Sequence, residues 1–313
     1  MSIVEKALRK AQATAGLGAR VHEHRDPPTV VGRVVEMPAG SDPIGDLPAT
    51  RSGRVVHIDW AALREASILP PEDHERAIAD QYRAIKRPLL RNAAEAMAAG
   101  SAVGNVIMTA SALPGDGKTF TCVNLALSLA RERDYTVLLV DSDTPKPHVS
   151  KLFGVDSEPG LLDVLMDPAR TIESVILPTD VPRLSLLPVG RGGEPATELL
   201  ASARMSEVVN RLARLYSRGI VIFDSPPLLL TSEAAALAMQ MGQVALVVKA
   251  GETPQHAVLH AIEVLANCKK VSLILNQVDV APLESYYYGY PYGSSYGQSR
   301  PTSGSGSADG LRQ

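Results

Sequence analysis

The sequence predicts a doubly wound α/β domain with a mostly parallel sheet, because short apolar runs alternate with helix-patterned segments between residues 72 and 280. The runs are 106–110, 137–140, 184–188, 220–223, 244–248 and 271–275. Apolar on both faces, they call for helices on both sides of the sheet. The second observation is Ala112-Leu113-Pro114-Gly115-Asp116-Gly117-Lys118-Thr119, set between the first run and a helix-compatible segment, 119–131. This is the pattern of a P-loop NTPase. The third is a pair of acidic strand tips, Asp141-Ser142-Asp143 and Asp224-Ser225-Pro226-Pro227. Ligands of open α/β sheets bind beyond the carboxyl ends of the strands, where all three features fall.

Each element has its own chemistry. Glycines let the loop backbone curl so that successive N–H groups and a helix N-terminus face a phosphate chain. Pro114, Gly115, Asp116, Gly117, Lys118, Thr119 and Phe120 form this candidate nucleotide-binding stretch, with Lys118 supplying a point charge and Thr119 a hydroxyl for Mg²⁺. The competing reading is a Gly/Pro turn ahead of a helix, but the complete motif in strand-loop-helix order favours ATP or another nucleoside triphosphate. An Asp that closes an apolar strand often only caps the next helix. Two such tips beside a phosphate loop instead suggest one site, in which Asp141, Asp143 and Asp224 serve metal binding and proton removal. Thr119, Asp143 and Asp224 are the candidate metal ligands.

Outside the sheet the chain changes character. Residues 1–16 open with a short basic amphipathic helix at 2–13, in which Ser2 and Glu5 have capping-box spacing. It could dock on a membrane surface or a partner, or remain a weak helix on a mobile arm. Residues 17–71 carry recurrent prolines and read as a linker with one short strand at 55–58. Residues 281–313 are low-complexity Gly, Ser, Pro and Tyr, and read as a disordered tail. Within that tail Tyr286, Tyr287, Tyr288, Tyr290, Tyr292 and Tyr296 place six of nine tyrosines in eleven residues. Folded cores do not use tyrosine this way, so the hydroxyls are expected to be exposed, as phosphate acceptors or as a sticky assembly surface.

Composition narrows the function. A net charge of −3 and few aromatics argue against a nucleic-acid partner. Two cysteines, Cys122 and Cys268, lack metal-ligand spacing and read as buried thiols in a reducing cytosol. The uncharged stretch 234–248 is too interrupted to span a membrane and reads as helix, turn and strand, and the N-terminus has no apolar signal core, so the expected location is cytoplasmic.

Together the loop, the Asp141-x-Asp143 tip, Asp224-Ser225-Pro226-Pro227 and the tyrosine cluster resemble the bacterial tyrosine kinases of polysaccharide export. Segments 151–154, 160–165 and 198–202 are similar too, so the likeness covers roughly residues 72–296. Met1-Ser2-Ile3-Val4-Glu5-Lys6-Ala7 and Tyr82-Arg83-Ala84-Ile85-Lys86-Arg87-Pro88 resemble the exosortase-associated tyrosine autokinases. The resemblance implies ATP and Mg²⁺ as cofactors, Lys118 and Thr119 on phosphate and metal, Asp141 or Asp143 as base, and Asp224 in support of the metal. It also implies tail tyrosines phosphorylated in trans within a homo-oligomer, a separate membrane co-polymerase as activator that recruits the kinase to the inner membrane, and an opposing phosphotyrosine phosphatase.

Two departures stand out. Thr144-Pro145-Lys146-Pro147 replaces the family's arginines, leaving Lys146 as the candidate phosphate contact. The family's oligomerisation motif is changed to Asp80-x-x-Arg83-x-x-Lys86, which one-turn spacing would place on one helix face, as a subunit contact or a solvated charge face. A positioning ATPase of the chromosome-partitioning or division-site type shares the sheet and acidic tips, but Leu113 stands where such proteins carry an extra lysine. A nucleotide-gated assembly protein with an unmodified tail is the remaining alternative.

Overall fold

Each of the six apolar runs becomes a strand of one seven-stranded sheet in the computed structural model, which describes residues 32–36, 54–191 and 196–278. The strands are β3 (Val106–Ser111), β4 (Thr136–Asp141), β6 (Leu184–Leu187), β7 (Gly219–Asp224), β8 (Gln243–Lys249) and β9 (Val271–Asn276), joined by a two-residue β5 (Leu177–Pro178). The order is β5-β6-β4-β7-β3-β8-β9, and every pairing is parallel except β5 with β6. Every residue of β3 and of β7 is buried, as central strands covered on both faces require.

Alternate residues of these strands feed two apolar layers. Met108, Leu138, Val140, Val221 and Phe223 pack with α5 (Leu161–Met166), α7 (Ala203–Leu215), α8 (Ser232–Ala238) and α9 (Gln255–Val264). Ile107, Val137, Leu139, Ile220 and Ile222 pack on the other face with α2 (Glu75–Ala98) and α3 (Lys118–Ala130). The remaining described helices are α1 (Trp60–Glu65), α4 (His148–Leu152), α6 (Ala196–Leu200) and a 3₁₀ turn at Ile172–Ser174. No helix of the described residues is long and apolar enough to cross a membrane. Of the two thiols, Cys122 is buried and Cys268 only partly so.

The segment expected as a linker contains more structure than one strand. Strand β2 (Arg54–Ile58) pairs antiparallel with β1 (Gly32–Glu36), and Val56 and Ile58 join the second apolar layer together with Leu63 of α1. Backbone bonds fix it: Asp180 N donates to Val56 O at 3.0 Å, and Ile58 N donates to the Asp180 carboxylate at 3.1 Å. Asp59 then caps α1 by accepting from the Ala61 and Ala62 N–H groups. Proline frequency concealed this, because three apolar side chains, Val56, Ile58 and Leu63, suffice to dock the segment. The expected helix at 2–13 and the tail at 281–313 lie outside the described residues.

Candidate active site

Strand order decides the site. β4, β7 and β3 are neighbours, and the register aligns Asp141 with Asp224 and Thr109 with Asp224. The two acidic tips and the loop that follows β3 therefore emerge side by side. Further bonds lock the tips: the Ser142 hydroxyl donates to Asp224 O at 2.7 Å, and the Ser225 hydroxyl donates to Thr109 O at 3.0 Å.

The loop delivers Lys118 and Thr119 at the start of α3. Gly115 and Gly117 hold φ values of +85° and +90°, a conformation that L side chains rarely adopt. As first-turn residues, Lys118, Thr119 and Phe120 have N–H groups with no acceptor inside the helix. The Lys118 ammonium bonds Asp143 at 2.6 Å and stands 3.8 Å from Asp224. The Thr119 hydroxyl donates to the other Asp224 oxygen at 2.7 Å. Four of the sequence-predicted residues thus meet at one buried point.

Asp141 is held apart from that point. Its carboxylate accepts from Ser150 N at 2.7 Å and Asp143 N at 3.2 Å, so it anchors the loop between β4 and α4. The helix-cap role weighed from sequence alone is thus part of what Asp141 does. Asp116 is also turned inward: it accepts from Leu113 N at 3.0 Å and from the Thr253 hydroxyl at 2.7 Å, bracing the loop instead of facing a phosphate. Pro114 and Gly115 are exposed at the loop tip, and the Phe120 ring packs against the second apolar layer, leaving its backbone N–H on the phosphate side. Lys146 is exposed, with its own N–H bonded to Asp143 at 3.2 Å.

Lys86 requires a correction. Asp80 and Arg83 form an exposed ion pair at 2.5 Å, but Lys86 is buried, donates to Ser128 O at 2.9 Å and pairs with Glu132 at 2.6 Å. Positions three and six residues along rotate progressively around a helix, and the third one faces α3. The six tail tyrosines lie outside the described residues.

Sequence reasoning missed two residues. Thr253 holds Asp116, and the Asn276 amide donates to Asp116 O at 3.0 Å. Asn276 ends β9 as the aspartates end their strands, and a polar residue closing an apolar run was the available signal.

Electrostatics follow from burial. Burial, then repulsion from Asp224, pushes the Asp141 carboxyl up to about 7. Burial pushes Asp224 up to about 6 against the pull of Lys118 and Thr119. Burial opposes the charge on Lys118, yet the Asp224 and Asp143 carboxylates outweigh it and raise its pKa. One ammonium beside two buried carboxyls, with Asp141 buried nearby, leaves the point short of positive charge. Among the described residues no group of three or more His, Cys, Asp or Glu side chains forms a ready-made metal cage. The donors still suit Mg²⁺, which takes one or two carboxylates plus phosphate oxygens and water. Asp224 Oδ1 is buried with no hydrogen-bond partner, beside the Thr119 hydroxyl.

A profile of the AAA domain family matches residues 104–277. The chain is 34% identical over 198 residues to the putative tyrosine-protein kinase EpsB of Ralstonia nicotianae, covering 63% of this chain and only 25% of EpsB. It is 33% identical over 186 residues to the tyrosine-protein kinase YwqD of Bacillus subtilis, covering 58% of this chain and 77% of YwqD. Among solved structures it resembles the kinase domain of VpsO, with 30% identity, a TM-score of 0.51, and 63% of this chain and all of that domain covered. The residues gathered at the loop and the two acidic tips are therefore those of a P-loop domain of the AAA type, and the chain belongs to the bacterial tyrosine-kinase family.

Proposed function

We propose that the protein is a cytoplasmic ATP-dependent protein-tyrosine autokinase that phosphorylates Tyr286, Tyr287, Tyr288, Tyr290, Tyr292 and Tyr296 of neighbouring copies and so regulates exopolysaccharide polymerisation or export. One observation carries this reading: Lys118, Thr119, Asp143 and Asp224 converge through contacts of 2.6 to 3.8 Å at the mouth of the phosphate loop. The resemblance to the exosortase-associated autokinases adds a membrane co-polymerase as activator and a phosphatase as opponent.

In this reading Thr119 and Asp224 hold the Mg²⁺ that accompanies ATP, which when bound neutralises charge on the β- and γ-phosphates. Lys118 turns from Asp143 to the phosphates, compensating the charge that accumulates on ADP. The tyrosine oxygen bonds to the γ-phosphorus as the bond to the bridging oxygen breaks, and the phenolic proton passes to a carboxylate. Asp143 is better placed than Asp141 to accept it, because Asp143 faces the Lys118 position while Asp141 is held by Ser150 and the Asp143 backbone. Asp141 then acts as a positioning residue, setting the loop that carries Asp143.

Mass spectrometry of purified protein incubated with MgATP tests the proposal. Phosphate is expected on the tyrosine cluster. Steady ATP hydrolysis with unmodified tyrosines would instead favour a positioning ATPase, and nucleotide binding with neither outcome an assembly protein.

A further inference from the structure

On the helix face away from the phosphate loop's α3, the structure opens a second cleft of about 490 Å³ between α7 and the segment that follows α5. Its charge is one-sided. Arg204, Arg211 and Arg214 come from α7 and Arg170 from the opposite wall, against only Glu173 and Glu207. Glu173 pairs with Arg211 at 2.6 Å and Glu207 with Arg204 at 3.0 Å. No ion pair among the described residues engages Arg170 or Arg214. Arg204 Nε is buried without an acceptor. A protein with a net charge of −3 thus keeps, among its described residues, two guanidinium groups without an ion-pair partner and an orphaned donor around one cavity.

We infer that this cleft is a docking site for the phosphorylated tyrosine segment of this chain, residues 286–296. The inference rests on the autokinase reading only for the origin of the phosphate. Guanidinium groups bind phosphate by paired N–H donors, and arginine clusters are a recurrent means of recognising phosphorylated peptides. The arginines of α7 run from 204 to 214, about 15 Å at 1.5 Å per residue. Tyr286, Tyr288, Tyr290 and Tyr292 recur at every second position, which in an extended chain puts side chains on one side roughly every 7 Å. Two successive phosphates of that series fit the length of the arginine row. Seventeen residues lie between Val278 and Tyr296, so that segment spans on the order of 60 Å at full extension. Unmodified, the cluster has no charge to offer the cleft. Each phosphate adds roughly −1.5 to −2 charges, so modification would move the tail from a substrate position to a parked one.

The test uses full-length protein carrying Lys118→Met, whose own tail would stay unmodified, and a fluorescent peptide of residues 284–298 with phosphate on Tyr286, Tyr288, Tyr290 and Tyr292. Anisotropy at physiological ionic strength should show the phosphopeptide binding at least about tenfold more tightly than the same peptide without phosphate. Arg170→Ala with Arg214→Ala should remove that gain, as should Arg214→Glu alone, with melting temperatures held near that of the parent. Equal binding of both peptides, or binding indifferent to these variants, overturns the inference. So does displacement by MgADP, which would place the peptide at the phosphate loop, or by equimolar pyrophosphate, which would make the cleft a small-anion site. Because the phosphate is supplied synthetically, failure here leaves the kinase reading standing, and that reading is decided separately by phosphotyrosine on wild-type protein given MgATP.

Discussion

The Lys118 ammonium rests 2.6 Å from Asp143, so the cation of the phosphate loop neutralises the acidic tip of a different strand. In the proposed reaction Lys118 would exchange this partner for the phosphates. Lys118→Met should abolish tail phosphorylation, because losing a positioned charge costs several kcal/mol at a phosphoryl-transfer transition state. It should also lower the melting temperature without nucleotide, since Asp143 and Asp224 lose their counter-ion. Undiminished phosphotyrosine in the variant would remove Lys118 from the mechanism.

Asp224 links stability to pH. A carboxyl whose pKa is higher in the folded than in the unfolded chain binds more protons when folded, so its contribution to stability falls as pH rises between the two values. For Asp224 that window runs from 3.8 to about 6, and for Asp141 from 3.8 to about 7. Asp224→Asn should remove phosphoryl transfer while its melting temperature gains on wild type through the first window and then levels off. The gain is at most about 3 kcal/mol, at 1.36 kcal/mol per pKa unit. Thermal melts across pH 4 to 7, set beside autophosphorylation, decide it; a gap between the two proteins that does not change with pH contradicts the assignment.

Gly117 tests the loop geometry. Its φ of +90° already disfavours a side chain, and a Cβ there would collide with the Asn276 amide that holds the Asp116 carbonyl. Gly117→Ala should weaken MgATP binding at least about tenfold, an effect of the size that left-handed strain and a lost loop contact produce together. Titration with a fluorescent ATP analogue measures this. Wild-type affinity would mean that the loop relaxes freely.

The buried position of Lys86 separates two residues that spacing had grouped. Lys86→Ala should destabilise the fold by about 1–3 kcal/mol, because it leaves a carbonyl and a carboxylate without their charged partner. Arg83→Ala, exposed and among the described residues paired only with Asp80, should change the melting temperature little and, if this face joins subunits, reduce association. Denaturant unfolding and light scattering on both variants distinguish stability from assembly.

Ending the chain after residue 283 should leave ATP binding intact and remove most self-phosphorylation, since no described phosphate-loop contact comes from beyond Val278. Mixing that truncation with full-length Lys118→Met protein should place phosphate on the inactive chain's tail. Its absence there would rule out transfer between molecules.

The strand pattern was legible because parallel strands must be apolar on both faces, and each of the six runs lies within an observed strand or overruns one by a single residue. The meeting of Lys118, Thr119, Asp143 and Asp224 was legible too, since a phosphate loop and acidic tips on adjacent strands leave little freedom. What spacing did not convey was direction. Asp116 sits within the loop yet points to Thr253, Asp141 sits at a tip yet serves Ser150, and Lys86 sits in a charged motif yet faces Ser128. These orientations depend on groups distant in sequence. The docking of Val56, Ile58 and Leu63 was hidden similarly, because prolines nearby speak only of local conformation.

Asn276 gives the fold a mechanical consequence. It closes β9, which among the described residues is held to the sheet by β8 alone, and its side chain grips the loop that carries Gly117. Load entering from the carboxyl end of the chain reaches the ladder first at the Lys249–Asn276 pair, before any inner strand is strained. Peeling that pair would release the Asp116 carbonyl and slacken the turn that aims Lys118. A tug on the carboxyl-terminal segment would thus reach the phosphate loop through one amide before it loaded the central strands of the sheet.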